Sequence, residues 1–130
     1  MTELIKTLCS LDAVSGDEKA VCDFITNQID GYCEWRVDNL GNIIVFKKGE
    51  KTPLKKVMLD AHMDEVGLII TSICDNGFLK FKIVGGIDVA ALMLRKVKIN
   101  GEISGVISGK PIHLLSGEET KKLPKLCLRA

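Results

Sequence analysis

The sequence predicts an α/β chain in two parts, with helices in the first part and strands dominating the second. Apolar residues recur at helical spacing near the N-terminus. After Glu65, short apolar runs alternate with glycine-containing turns. This second pattern favours a mostly antiparallel, barrel-like arrangement over repeated strand–helix–strand units. We therefore divide the chain into residues 1–65 and residues 66–130.

Two helices are predicted at the start of the chain. The first has apolar residues at positions 4, 5, 8 and 11. For the second, Ser15 and Glu18 have the Ser-x-x-Glu spacing of a capping box, which predicts a helix start, and Gly31 is a natural stop. Its apolar face consists of Val21, Cys22, Phe24, Ile25 and Ile29.

Three strands are expected next. Trp35 and Val37 alternate with polar residues, which indicates a half-buried strand, and a polar turn follows at Asp38–Asn42. The nearly continuous apolar run Ile43–Phe46 predicts a strand that is buried on both faces. A third strand is predicted over Lys56–Ala61, leading directly into His62.

The second part is predicted to contain strands over residues 65–73, 78–85 and 96–108. Asp75-Asn76-Gly77 is a strong signal for a tight turn, and Asn100-Gly101 is another. Residues 87–95 favour a short helix. The tail from residue 116 is polar, and Ser116 and Glu119 repeat the capping-box spacing, so one helical turn is expected there.

Composition excludes several classes of protein. A net charge of +1 argues against nucleic-acid binding, which needs a clustered cationic surface. No apolar run approaches the roughly 18 residues of a membrane span. The N-terminus lacks the features of a signal peptide. Five cysteines, odd in number and without a Cys-x-x-Cys pair, favour reduced thiols in a cytoplasmic protein.

His62 and Asp64 are the candidate site residues. Residues two apart in an extended segment point to the same side, so these two side chains are expected to face one way. A histidine that ligates a metal usually donates its other ring N–H to a carboxylate or carbonyl. Spacing alone leaves two roles open for these residues. They could bind a metal or act in catalysis, or they could simply form a hydrogen-bonded polar pair at the end of a strand. Glu65 either joins the site or begins the next strand.

The longer stretch around this pair resembles a known family. The segment "DAHMDEVGLIIT" (residues 60–71) is similar to the Ala-His-Met-Asp-Glu-Val-Gly region of the glutamyl-aminopeptidase family of zinc metallopeptidases, peptidase family forty-two. Further landmarks of the same family occur in family order: "VSGDEKAV", "DNLGNIIVFKKG", "GFLKFKIVGGID" and "KVKINGEISGVISGKPIHLL". The resemblance extends from about Leu4 to Pro124.

The resemblance implies both a fold and a chemistry. Residues 1–65 would be the first part of a doubly wound zinc-peptidase domain, and residues 66–130 an inserted β-barrel-like domain, incomplete at its end. The family site holds two divalent metal ions, zinc or cobalt, which activate water for hydrolysis of the first peptide bond of a peptide substrate. Carried onto this chain, His62 is a metal ligand. Asp64 is the catalytic-site residue that orients His62 and tunes its basicity.

The remaining ligands and the general base of a two-metal site are not identified in this sequence. In the family they lie beyond the inserted domain. Glu118-Glu119 stands in a polar context unlike the catalytic pair of the family, and His113 is expected to be structural. The 130-residue chain is therefore expected to be inactive alone. Because a partial domain leaves a sheet edge and apolar faces uncovered, we expect it to associate, as a homo-oligomer or with a partner, or else to be marginally stable.

Two alternatives compete with this interpretation. The barrel-like part could serve as a non-catalytic assembly or protein-binding module. The second alternative is that the protein is a glycosidase, because family members are often labelled cellulase or endoglucanase. Glycoside hydrolysis needs two carboxylates across a sugar-binding cleft, and one tryptophan and one tyrosine provide little aromatic platform for sugars.

Overall fold

The computed structural model describes residues 1–51, 54–109 and 126–129 of the protein, and the chain divides into two compact units, Met1–Glu65 and Val66–Ala130. The first unit contains two helices and two strands: α1 (Thr2–Leu8), α2 (Lys19–Ile29), β1 (Glu34–Val37) and β2 (Ile43–Phe46). The second contains one short helix and five strands: β3 (Gly67–Ile73), β4 (Phe78–Val84), α3 (Val89–Leu92), β5 (Lys96–Ile99), β6 (Ile103–Gly109) and β7 (Leu126–Arg129).

The strands of the second unit form one sheet in the order β3-β4-β7-β6-β5, and every neighbouring pair is antiparallel. The antiparallel pairing predicted for this part is confirmed in the described strands. The predicted turns are also present, since Gly77 (φ 79°), Asn100 (φ 49°) and Gly101 (φ 72°) take the left-handed backbone that tight hairpin turns require. The short helix α3 begins where the Asp88 carboxylate accepts a hydrogen bond from the Ala90 N–H.

Strand β7 was not predicted from the sequence, yet it lies in the middle of the sheet, between β4 and β6. Leu128 of this strand packs with Leu79, Leu92 and the fully buried Ile107 to form the core of the second unit. A four-residue strand is too short to show a period, and the polar residues before it gave no strand signal. The helical turn expected at Ser116–Glu119 lies outside the described residues.

Helix α2 begins later than predicted. The capping box expected of Ser15 and Glu18 is wrong, because the helix starts at Lys19 and its N-cap residue, Glu18, makes no side-chain capping bond. Glu18 instead accepts a hydrogen bond from the Gly16 N–H (2.6 Å). The predicted stop is confirmed, since the helix ends at Ile29 and Gly31 follows with a positive φ of 76°.

Strands β1 and β2 pair in a hairpin whose turn is fixed by Asp38. Its carboxylate accepts hydrogen bonds from the Leu40 N–H, the Asn42 N–H and the Asn42 side-chain amide, each 2.9 Å long. The Asn42 side chain, then its backbone N–H, holds the pKa of Asp38 below its ordinary value. This is an Asx-type turn, in which the side chain replaces backbone partners.

One burial prediction and one strand prediction for the first unit are wrong. Ile43–Phe46 was expected to be buried on both faces, but three of its four residues are exposed, with Phe46 60% exposed. Lys56–Ala61 was expected to be a strand, but residues 56–64 have no regular secondary structure and Leu59 is 93% exposed. Both apolar runs need neighbouring elements to cover them, and the described part of the first unit has none in those positions.

Candidate metal-ligand site

His62 and Asp64 lie side by side, as the sequence predicted. The ring atom Nδ1 of His62 is 3.0 Å from Oδ1 of Asp64 and 3.0 Å from the Asp64 backbone oxygen. Both partners are acceptors, so Nδ1 carries the proton and donates to them. In the neutral ring this leaves a lone pair on Nε2. An imidazole with Nδ1–H held by a carboxylate and a free Nε2 lone pair has the form of a histidine metal ligand.

The site is open to solvent rather than buried at the end of a core strand. The His62 side chain is 85% exposed and that of Asp64 is 40% exposed. The ring is therefore oriented by its hydrogen bonds to Asp64 and not by close packing. Because no strand precedes His62, the expected position at a sheet edge is not seen in the described residues.

The structure adds a third residue, Ser15, which sequence reasoning missed. Its hydroxyl donates a hydrogen bond to Oδ2 of Asp64, so each carboxylate oxygen has one partner. Ser15 is the second residue of a turn closed by a 2.7 Å bond from the Asp17 N–H to the Val14 oxygen. Gly16 is the third residue, with a φ of 94°, as a type II turn requires. The Ser-Gly pair signals this turn in the sequence, but its contact with Asp64 is not predictable from spacing.

A backbone connection next to the site holds these two segments together. Val14 and Glu65 form a parallel bridge, and the Glu65 N–H donates to the Ala13 oxygen over 2.7 Å. The Glu65 carboxylate accepts a 3.3 Å hydrogen bond from the Ala13 N–H. Ala13 is only 2% exposed. Glu65 therefore ties the two segments together, and the described contacts give it no direct part in holding the His62 ring.

The charge on Asp64 is stabilised by its two partners. The Ser15 hydroxyl, followed by the His62 ring, holds the pKa of the Asp64 carboxyl below its ordinary value. The carboxylate is therefore ionised at neutral pH. An ionised acceptor at Nδ1 favours the tautomer with the proton on that nitrogen, which leaves the Nε2 lone pair free for a metal.

The side chains of the candidate site meet only part of the requirement for binding a metal ion. His62 offers one suitably oriented nitrogen. Among residues 1–51, 54–109 and 126–129, no group of three or more His, Cys, Asp or Glu side chains is placed to hold a metal ion. His113 and Glu118-Glu119 lie outside these residues. The described part of the chain thus supplies one histidine with a free ring nitrogen and the carboxylate that orients its ring.

A concave surface lies beside the turn that carries Ser15, not over His62. Its volume is about 430 Å³, and it is lined in part by Gly16, Glu18, Lys19 and Asp23. Lys19 and Asp23 form an ion pair with a 2.5 Å separation. Because neither His62 nor Asp64 borders it, this surface is not evidence for a substrate pocket at the candidate site.

No helix in the described part of the chain is long and apolar enough to cross a membrane.

Comparisons with known proteins relate this chain to a family. The family described as M42 glutamyl aminopeptidase matches residues 41–127. The chain is 34% identical over 120 residues to the lysyl aminopeptidase of Pyrococcus furiosus, covering 86% of this chain and 33% of that protein.

Two solved structures match nearly the whole chain. An aminopeptidase of Desulfurococcus kamchatkensis, APDkam598, superposes with a TM-score of 0.82 at 35% identity, over 98% of this chain and 36% of that one. The TET1 peptidase of Pyrococcus horikoshii, which can assemble into a tetrahedron or a large octahedral shell, superposes with a TM-score of 0.74 at 36% identity, over 98% and 39%.

The chain spans about a third of the length of the curated relatives that it matches. The match covers part of each unit and includes His62, Asp64 and strands β3 to β6. The resemblance noted in the sequence is confirmed: this chain belongs to the M42 glutamyl aminopeptidase family.

Proposed function

We propose that this chain is the N-terminal part of a metal-dependent aminopeptidase that releases N-terminal residues from peptides. In this proposal, residues 1–65 begin the α/β catalytic domain and residues 66–130 belong to an inserted, barrel-like domain. The observation that carries it is the His62–Asp64 pair, with Nδ1 anchored and Nε2 left for a metal, in a chain of an aminopeptidase family. The lengths of its relatives support the view that the rest of the enzyme is supplied by further sequence.

The roles of the two residues follow from their hydrogen bonds. His62 would ligate one of two divalent metal ions, zinc or cobalt, through Nε2. Asp64 would hold the Nδ1 proton and keep the ring turned so that Nε2 stays available. When bound, the metal ions supply Lewis-acid activation of water and of the scissile carbonyl. His62 is the one ligand identified among the described residues, and one ligand cannot hold two metal ions. The 130-residue chain is therefore expected to have no hydrolytic activity of its own.

The substrates would be peptides with a free N-terminus, and the whole enzyme would be a cytoplasmic homo-oligomer. The oligomer is supported by the shells formed by the TET1 peptidase, to which this chain is similar over 98% of its length. No nucleic-acid or membrane partner is proposed, because the net charge is +1 and no long apolar run is present.

The test begins with the native product, captured from its source cells through an N-terminal peptide of this chain. Its intact mass decides whether the native polypeptide extends beyond 130 residues. We expect a product about three times heavier that releases N-terminal residues, loses activity with a zinc chelator, and loses it again in the His62→Ala variant. An Nα-acetylated peptide is the matched control and should not be cleaved. Chelator-insensitive cleavage, or full activity of His62→Ala, would overturn the proposal.

The second candidate is a non-catalytic assembly module built on the second unit. The exposed apolar residues of its edge strand β3, including Ile69 and Ile73, favour contact with another chain. This function predicts a defined oligomer that is insensitive both to chelator and to His62→Ala. Loss of assembly on chelation would count against it.

A further inference from the structure

Ser15 stands out because it contacts the candidate site from a distant part of the sequence. Its hydroxyl donates to Oδ2 of Asp64, while Oδ1 of the same carboxylate accepts from His62. Ser15 and Asp64 are 49 residues apart. The three side chains therefore form one continuous chain of hydrogen bonds, with Asp64 in the middle.

The backbone on both sides of Ser15 fixes the position of its hydroxyl. The Val14–Glu65 bridge lies directly beside the Ser15–Asp64 contact in both segments. The type II turn at Gly16 then reverses the chain immediately after Ser15. Ser15 is thus held between a fixed bridge and a tight turn, opposite the carboxylate that it contacts.

A carboxylate held at only one oxygen can still rotate, since the terminal torsion of aspartate has a broad energy profile. A partner on each oxygen fixes the plane of the group. Together with the Asp64 backbone oxygen, the plane of this carboxylate sets the direction of the Nδ1–H bond of His62, and hence the direction of Nε2. This matters more at an exposed ring than at a buried one, because packing does not restrict His62.

Other roles for Ser15 are less consistent with its contacts. It does not cap α2, which begins at Lys19 without a side-chain cap. It is not arranged as a nucleophile, because a catalytic serine contacts an imidazole base, whereas this hydroxyl contacts the carboxylate. The ring nitrogen of His62 that faces Asp64 is Nδ1, and Nδ1 is already donating.

We propose that Ser15 is a positioning residue for the metal ligand His62, acting through Asp64. The proposal rests on the proposed metallopeptidase function, since it assigns Ser15 a part in the same site. Removing the hydroxyl should leave the carboxylate free to turn, which lowers the fraction of His62 rings with the proton on Nδ1. It should also weaken metal binding by about 10-fold, the lower end of the range for residues that support metal ligands.

The first experiment needs no metal. Nitrogen-15 NMR of the imidazole rings in the 130-residue chain measures which nitrogen of His62 is protonated, and a His113→Gln variant assigns the signals of the two histidines. We expect mainly Nδ1–H in the parent chain, a mixture of both tautomers in Ser15→Ala, and recovery of Nδ1–H in Ser15→Thr, which keeps the hydroxyl. Ser10→Ala is the matched control, because the Ser10 hydroxyl bonds only the Thr7 backbone oxygen.

An unchanged His62 tautomer in Ser15→Ala would overturn the proposal. So would failure of Ser15→Thr to restore the parent spectrum. If Ser15→Ala does not fold, as judged by its amide spectrum, Ser15→Cys keeps nearly the same shape with a much weaker donor, and the same comparison applies.

The second experiment measures Zn²⁺ affinity of the native product by competition with a chelator. We expect about 10-fold weaker binding in Ser15→Ala and normal binding in Ser15→Thr and Ser10→Ala. His62→Ala separates the two proposals. If that variant binds Zn²⁺ as tightly as the parent, the proposed metal function fails, whereas the tautomer measurement still decides the role of Ser15.

Discussion

At the scale of single residues, His62 is oriented by one neighbour rather than by its surroundings. Its side chain is 85% exposed, and exposed side chains ordinarily change rotamer on a timescale of picoseconds to nanoseconds. Asp64 opposes this motion with two acceptors, its carboxylate and its backbone oxygen, both 3.0 Å from Nδ1. A change at the Asp64 side chain should therefore affect ligand geometry far more than it affects folding.

The Asp64→Asn variant tests this distinction. The amide keeps the shape of the carboxylate but lacks its negative charge, so His62 becomes a weaker donor to metal. Under the proposed metal function, we expect the Zn²⁺ affinity of the native product to fall by about 10–100-fold. The thermal midpoint of the metal-free protein should fall as well, because the lowered pKa of Asp64 means that its ionised form stabilises the fold. Asp60→Asn, four positions earlier and also exposed, is the control and should bind Zn²⁺ normally. Equal losses in both variants would show that general electrostatics, not orientation of His62, governs binding.

The pairing of His62 with Asp64 was predictable because it is local. They are two positions apart, and side chains at that spacing point to the same side whenever the backbone is extended. The Ser15 contact was not predictable, because it depends on the Val14–Glu65 bridge, which joins segments far apart in the chain. Ser15 and Glu18 also matched a helix-capping pattern, and that local signal pointed to the wrong partner for both side chains.

At the scale of structural elements, Gly85 is a position directly after strand β4 that has little room for a side chain. It has a φ of 83°, and a Cβ placed there would lie 2.9 Å from Cγ1 of Val66. Gly85→Ala should therefore destabilise the second unit by roughly 1–3 kcal/mol through backbone strain and this close contact. Gly86→Ala is the matched control, because its Cβ meets nothing within 4 Å. Urea unfolding followed by circular dichroism would contradict the prediction if the two variants had the same midpoint.

The hairpin of β1 and β2 should be sensitive to pH through Asp38. Its pKa is lower in the folded state than in the unfolded state, so the unfolded chain binds more protons between the two values and stability rises with pH there. The contribution is complete above about pH 3.9, the usual value for aspartate, and is lost as the pH falls through the folded-state pKa. Asp38→Asn removes it at every pH.

We therefore expect the parent chain to be more stable than Asp38→Asn at neutral pH and the difference to shrink below about pH 3.9. Thermal unfolding followed by Trp35 fluorescence reports on this hairpin directly, since Trp35 lies in β1 and is the only tryptophan. Asp75→Asn, in the turn between β3 and β4, serves as the control. A difference between parent and Asp38→Asn that stays constant down to pH 2 would contradict the assignment.

Elements bounded by clear turn residues were predicted well, and those that depend on distant neighbours were not. The turns at Gly77 and at Asn100-Gly101 need a positive φ, which the local sequence reveals. Strand β7 and the missing strand at residues 56–61 are the opposite case. β7 exists because β4 and β6 flank it, whereas residues 56–61 remain unpaired because the described chain offers no partner.

At the scale of the whole molecule, the two units differ in how completely they bury their apolar residues. The second has a continuous core around Ile107, which is fully buried. In the first unit, apolar side chains remain exposed on the hairpin and over Val57–Leu59. Contiguous apolar surface of this kind marks a site of contact with other protein. It is consistent with a chain that spans about a third of its curated relatives.

This exposed surface predicts that the isolated 130-residue chain self-associates. Leu59→Glu should shift the chain toward monomer, because it places a charge in the exposed segment Val57–Leu59. Burying a leucine contributes roughly 1.5–3 kcal/mol, so we expect the association constant to fall at least about tenfold. Leu40→Glu is the matched control: Leu40 is also largely exposed, but it lies in the hairpin turn outside that segment.

Sedimentation velocity over a range of concentrations distinguishes the outcomes. If the parent chain is already monomeric at high concentration, the exposed segment does not drive association. If Leu40→Glu dissociates the chain as strongly as Leu59→Glu, added charge rather than loss of a specific apolar contact is the cause. Dissociation by Leu59→Glu alone would identify Val57–Leu59, the segment leading into His62, as the surface through which the chain associates.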